Sequence, residues 1–269
     1  MARKRLAAAV ARLTVAGLTV ASLALALSAC ASPRQLNVTE EPVARRTPGS
    51  GAPSDRAVGA EALVPPAACP AGVVPASAAG DLLAAARVHA AWDRIEGWLG
   101  VHAPASLATL NPPADADRIA AVQAAMSVRF PPDLVASLRR HDGVRTGDPR
   151  IAFPLPPGYV LLSLAEARQD RGARCKLAEL RGRGRDGASW QAAYVPFARD
   201  ATGGCLLVDT RAAGRVGMGD REGGVSFVGQ PPTLADLLDR TAAALTTGQP
   251  YGRWRPSVNE YGGLDWQES

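Results

Sequence analysis

The sequence predicts an α+β domain, and three observations carry that prediction. Apolar residues recur at helical spacing between positions 81 and 141. Past Gly143 they fall instead into short runs bounded by Gly and Pro. A last helical stripe follows at 234–245. Helices, then strands, then a helix is the α+β order.

The chain of 269 residues has room for one or two domains. Residues 1–29 read as a signal peptide. Arg3-Lys4-Arg5 form a charged start, and Leu13 to Leu27 carry no charge. That run is too short and Ala-rich for a membrane span of about 20 residues. It ends in Leu27-Ser28-Ala29-Cys30, which resembles the bacterial lipobox, and this likeness implies a diacylglycerol on the Cys30 thiol. Four of the 30 basic residues lie in the first twelve positions, leaving 26 against 25 acidic ones. The mature chain is therefore nearly neutral, and nucleic acid is not an expected partner. Residues 30–80 hold eight prolines and no aromatic residue. Such a segment buries too little apolar surface to offset its ordering entropy, so a disordered tether is expected. The folded domain is expected over 81–269.

The elements follow in order. Val88, Trp92, Ile95 and Leu99 mark a first helix over about 81–99, ended by Gly100 and Pro104. A second, about 115–127, has Asp115 as its cap and Ile119, Val122 and Met126 on one face. The third spans 131–141. Pro131 and Pro132 open it, Asp133 complements the dipole, and Gly143 supplies the stop. Tyr159–Leu162 read as a strand, and Ser163 caps a helix from Leu164 to about Arg171. Residues 172–188 are rich in Gly and Arg and read as a loop. Strands are expected at 194–197, 205–209, 215–218 and 225–227, with Pro196 signalling an edge or a bulge. Thr233 caps the last helix. The tail 249–269 has no period but holds Tyr251, Trp254, Tyr261 and Trp266, so it is expected to pack on the domain.

Few residues point to chemistry. His89, His102 and His141 show no ligand spacing, and the cysteines form no C-x-x-C pair. No serine sits in a nucleophile motif, and the Gly pairs match no phosphate loop. His141-Asp142 reads as a helix end, and Asp209 and Asp220 read as turn residues. No catalytic residue, metal or cofactor is therefore expected. Between 168 and 186 seven cations face three carboxylates. That excess nominates Arg181, Arg183 and Arg185 for contact with an acidic partner or anionic lipid. With Cys30 lipidated, Cys69, Cys175 and Cys205 remain. Outside the cytoplasm one disulfide and one free thiol are expected. Cys175–Cys205 is the expected pair, since both lie in the folded part.

Several pieces resemble, in order, the SUKH superfamily of fungal cell-wall-assembly regulators and bacterial toxin-immunity proteins. Trp92-Asp93-Arg94-Ile95-Glu96-Gly97-Trp98-Leu99 resembles its opening helix. Phe130-Pro131-Pro132-Asp133-Leu134 resembles its L-P-x-D step, and His141-Asp142-Gly143 its helix ending. Tyr194–Ala198 and Gly203–Asp209 resemble two of its strands. The likeness spans about 92–245. It departs at Gln123, where the family commonly carries an acid, and in a long basic stretch at 168–188. The resemblance implies a mixed, mainly antiparallel sheet flanked by helices and a protein-binding role without shared catalytic residues. The expected function is a membrane-anchored, extracytoplasmic binding module, either a toxin-immunity protein or an envelope scaffold. The partner is a protein, and the sheet's exposed face or the basic loop is where it would bind. An extracytoplasmic hydrolase and a small-ligand-binding lipoprotein stay open as alternatives. The hydrolase lacks a convergent polar constellation. The lipoprotein would want more than about 190 folded residues.

Overall fold

The front half is helical because its apolar residues fall on one stripe. In the computed structural model, which describes Cys69 and residues 81–145, 147–181 and 189–269, α1 spans Asp81–His102. Its Val88, Trp92, Ile95 and Leu99 are fully buried. The helix runs through Gly100, whose position faces solvent, and Pro104 opens the short α2 (Pro104–Leu107). α3 (Ala116–Met126) is capped by Asp115, whose side chain accepts the Arg118 N–H at 2.7 Å. α4 (Pro132–Leu138) opens at Pro131 as expected but stops three residues early. Gly143 is therefore not its stop. That glycine (φ +73°) sits where a Cβ would lie 2.4 Å from the Leu162 carbonyl carbon, so it permits the link after strand β2 to pass close by.

The sheet has six strands: β1 (Pro154–Leu155), β2 (Tyr159–Leu161), β3 (Tyr194–Arg199), β4 (Cys205–Asp209), β5 (Arg215–Gly219) and β6 (Val225–Ser226). They lie in chain order, and every pair among the described residues is antiparallel rather than mixed. Pro196 lies beside a bulge: the β3–β4 register shifts between Pro196 and Ala198. Helix α5 (Leu164–Arg181) connects β2 to β3. Its start is a reciprocal capping box, with the Ser163 N–H on Glu166 at 2.9 Å and the Glu166 N–H on the Ser163 hydroxyl at 3.3 Å.

All five residues of β4 are buried, because helices cover both faces of the sheet. Leu206 and Val208 point into the main core with Trp92, Leu138 and Leu238. Cys205 and Leu207 point the other way, into a second cluster with Cys69, Cys175, Trp190 and Tyr194. A strand covered on both faces reads as an unbroken apolar run. The expected open face is therefore absent at the sheet's centre. Helix α6 (Leu234–Thr247) lies on the main-core side, where Arg87 of α1 reaches Asp236 and Asp239 at 2.7 Å.

The aromatic tail forms a hairpin of its own, β7 (Trp254–Val258) with β8 (Leu264–Glu268). It packs on the domain as expected. Trp266 is buried and its indole N–H donates to the Pro154 carbonyl at 3.0 Å. Three turns share one sequence pattern, Asp or Asn followed by x-x-Gly-Gly, at 200–204, 220–224 and 259–263. In each, the first side chain accepts two backbone N–H groups, one of them from the second glycine at 2.8–3.0 Å. The first glycine of each pair has positive φ.

Candidate functional site

The segment from Phe130 to Gly143 is held by its neighbours at both ends. Asp133 is 3% exposed. Its carboxylate accepts the N–H groups of Leu134 at 2.8 Å, Leu234 at 2.9 Å and Ala235 at 3.3 Å. It thus caps α6 from 101 residues away. Thr233 takes the Asp236 N–H at 3.1 Å, so the orphan donors of that helix start are shared between two residues. Burial pushes the Asp133 pKa up, against the pull of those backbone donors. Asp142 caps α5 in turn, accepting the Leu164 N–H at 2.7 Å, and Arg118 lies 3.0 Å away. His141 stands between the Asn111 carbonyl and Glu96, each at 2.9 Å. Burial raises the Glu96 pKa, but hydrogen bonds from Arg140 and His141 outweigh it and hold the carboxyl below its ordinary range. These groups serve helix ends and the α1–α4 contact. Asp209 and Asp220 are turn residues, each accepting backbone N–H groups two residues on.

The basic stretch differs from expectation. Residues 172–181 continue α5, and two of its cations point inward. Arg171 is buried and donates to the carbonyls of Tyr194 at 3.2 Å, Cys69 at 3.1 Å and Ala192. Burial lowers its pKa to about 10. Arg174 reaches Asp170 at 2.6 Å, and the carbonyls of Gly203 and Asp220 at 2.8 Å each. It therefore ties together two of the Asp-x-x-Gly-Gly turns. The i,i+4 pair Asp170–Arg174 is the sequence signal that would have extended the helix. Arg181 is exposed and donates to the Glu222 carbonyl. Arg183 and Arg185 lie outside the described residues, as do Cys30, the signal peptide and nearly all of the tether.

The disulfide also differs. Cys175 bonds to Cys69, with Cα atoms 5.5 Å apart, and Cys205 is a free buried thiol. Cys205 sits on β4 with its sulfur directed over Gly219 of the next strand. Burial pushes its pKa up to about 12, so it is a poor nucleophile.

A groove of about 1260 Å³ lies among the described residues. The first turn of α1, the start of α4 and the 210–214 turn form its walls. Leu82 and Leu83 stand 84% and 75% exposed at one end. Gly214 (φ +79°) closes the floor, where a Cβ would lie 2.7 Å from that of Pro131. Four arginines line the groove: Arg87, Arg129, Arg139 and Arg211. Arg87 is held by Asp236 and Asp239, and Arg211 by Asp209 at 3.0 Å. Arg129 and Arg139 are exposed and make no ion pair among the described residues. The lining carboxylate, Asp133, is spent on backbone donors. Gln123 also lines the groove, and its side-chain oxygen accepts the Phe130 N–H at 2.6 Å. The void between α4 and the sheet is about 20 Å³, water-sized at most. Among the described residues no His, Cys, Asp or Glu cluster is placed to hold a metal, and no helix is long and apolar enough to cross a membrane.

No curated protein matches the chain. Residues 113–246 match the model of the SMI1 / KNR4 family (SUKH-1). The match starts after α1, so Trp92–Leu99 precede it, and it closes within α6. Its α+β topology and these residues together place the chain, through this domain, in the SUKH superfamily.

Proposed function

We propose that this protein is an extracytoplasmic protein-binding module of the toxin-immunity kind, tethered to the membrane through a lipidated Cys30. The observation that carries the reading is the SUKH-1 domain stapled by the Cys69–Cys175 disulfide. SUKH domains are associated with toxin partners, and the fold offers a groove of protein-binding size. Disulfides persist in oxidising compartments, which supports a place outside the cytoplasm. The leader and Leu27-Ser28-Ala29-Cys30 supply the route and the anchor. The reading assigns no catalysis. The buried thiol is unreactive, and the polar clusters described above are occupied by helix ends and turns.

Two measurements on the full chain test it. An alkyne-palmitate label is expected on the wild type and in the membrane fraction, with both lost in Cys30→Ala. An unlabelled wild-type chain counts against the anchor. In-cell crosslinking is expected to capture a toxin domain, and co-expression is expected to protect cells from it. A hydrolytic activity that one point substitution abolishes would sink the binding-only reading.

A further inference from the structure

We infer that the groove between α1, α4 and the 210–214 turn is the partner-binding surface, and that its occupant is an acidic protein segment carrying apolar residues between its carboxylates. This deepens the protein-binding reading and rests on it. The groove is larger than the roughly 300–1,000 Å³ of ordinary small-molecule pockets. Its surface is apolar where Leu82, Leu83, Pro132 and Val135 line it. An isolated apolar surface would fit many partners, so charge decides the choice. The four lining arginines face one lining carboxylate, and that carboxylate is committed to three backbone N–H groups. Neighbouring aspartates neutralise Arg87 and Arg211. Among the described residues Arg129 and Arg139 alone of the four have no carboxylate partner, one at the entry to α4 and one at its exit. Two such cations flanking an apolar strip complement a segment with two spaced carboxylates.

The walls are also set before binding. Pro131 and Pro132 restrict the backbone of one wall, and the Gly214 turn packs against Pro131. The Arg211–Asp209 pair fixes the turn from behind. A preformed groove loses less ordering entropy on binding. Two exposed lining cations are few for a nucleic-acid backbone, where proteins make roughly 6–10 phosphate contacts. The near-neutral balance of the chain beyond its leader agrees.

The test uses the full chain and a fluorescein-labelled dodecapeptide of alternating Glu and Leu. Saturable binding by fluorescence anisotropy is expected, with the Lys-for-Glu peptide failing to bind. The double variant Arg129→Glu/Arg139→Glu is expected to weaken binding about tenfold or more. Lys176→Glu, on the exposed side of α5, is expected to leave it unchanged. Both arginines are exposed, so the double variant should keep the wild-type urea midpoint, which checks that it folds. Three results would overturn the inference: equal binding of the Lys peptide, binding insensitive to the double reversal, or preference for phosphatidylglycerol vesicles through the same arginines. If the double variant still captures the toxin domain as well as wild type, this groove is wrong while the binding reading stands. If the wild type captures no protein, the binding reading fails with it.

Discussion

Replacing Asp133 by alanine removes one carboxylate that serves two helices. The magnitude follows from what is left behind. The Leu234 and Ala235 N–H groups lose their acceptor, and those residues are 0% and 2% exposed, so water cannot replace it. An unsatisfied buried donor costs about 1–3 kcal/mol. Relief from burying the carboxylate offsets part of this, leaving an expected loss of about 2–4 kcal/mol. That is a large share of the roughly 5–15 kcal/mol that holds a domain folded. Urea denaturation followed by tryptophan fluorescence reads it, with the midpoint falling and the slope unchanged. Asp133→Asn retains one side-chain oxygen and should fall between. Its comparison with wild type also carries a pH signature. The folded pKa is raised above the usual 3.8, so the native state holds this proton more readily than the unfolded chain. The group's contribution is therefore largest in acid and declines as pH rises through the folded pKa. A loss under about 0.5 kcal/mol for Asp133→Ala, within the range of ordinary surface changes, would refute the cross-domain cap.

Three further outcomes are expected. Reducing the Cys69–Cys175 bond opens a 106-residue loop and should cost about 4–5 kcal/mol on the chain-entropy model. Alkylation of the denatured, unreduced chain should mark Cys205 and spare Cys69 and Cys175; labelling of all three would exclude the bridge. Glu96 has a lowered folded pKa, so its ties to Arg140 and His141 contribute above the usual 4.5 and are lost as pH falls through the folded value. The urea midpoints of wild type and Glu96→Gln should therefore converge on acidification, and a constant gap would contradict the assignment. Gly214→Ala places a Cβ 2.7 Å from Pro131 at positive φ and should destabilise by about 1–3 kcal/mol, read by thermal denaturation; a neutral result would mean the turn is free to move.

What could be read in the chain was local. Asp115 and Thr233 were legible as caps because the N–H groups they serve lie three residues away. The buried stripe of α1 was legible because its spacing matches the helical period. The Asp-x-x-Gly-Gly repeat was equally available, since its hydrogen bonds close within five residues. The second half of α5 was harder. Gly172 and a run of cations read as a solvated loop, and carbonyls of β3 and of the 200–204 and 220–224 turns, absent from any local window, draw Arg171 and Arg174 inward.

The sequence by itself determined the starts of α1, α3, α4, α5 and α6 and the strands β2 to β6, because each rests on forces between residues a few positions apart; α2, β1 and the β7–β8 hairpin were not legible in it. Tertiary structure alone decided three things. It paired Cys175 with Cys69 rather than Cys205, although all three lie in one buried cluster. It sent Asp133 to α6 and Asp142 to α5. It also opened a basic groove where the α1 start, the α4 start and the 210–214 turn converge. Each depends on how separate elements are positioned against one another, and the packing of the whole domain sets that position rather than any local stretch of chain.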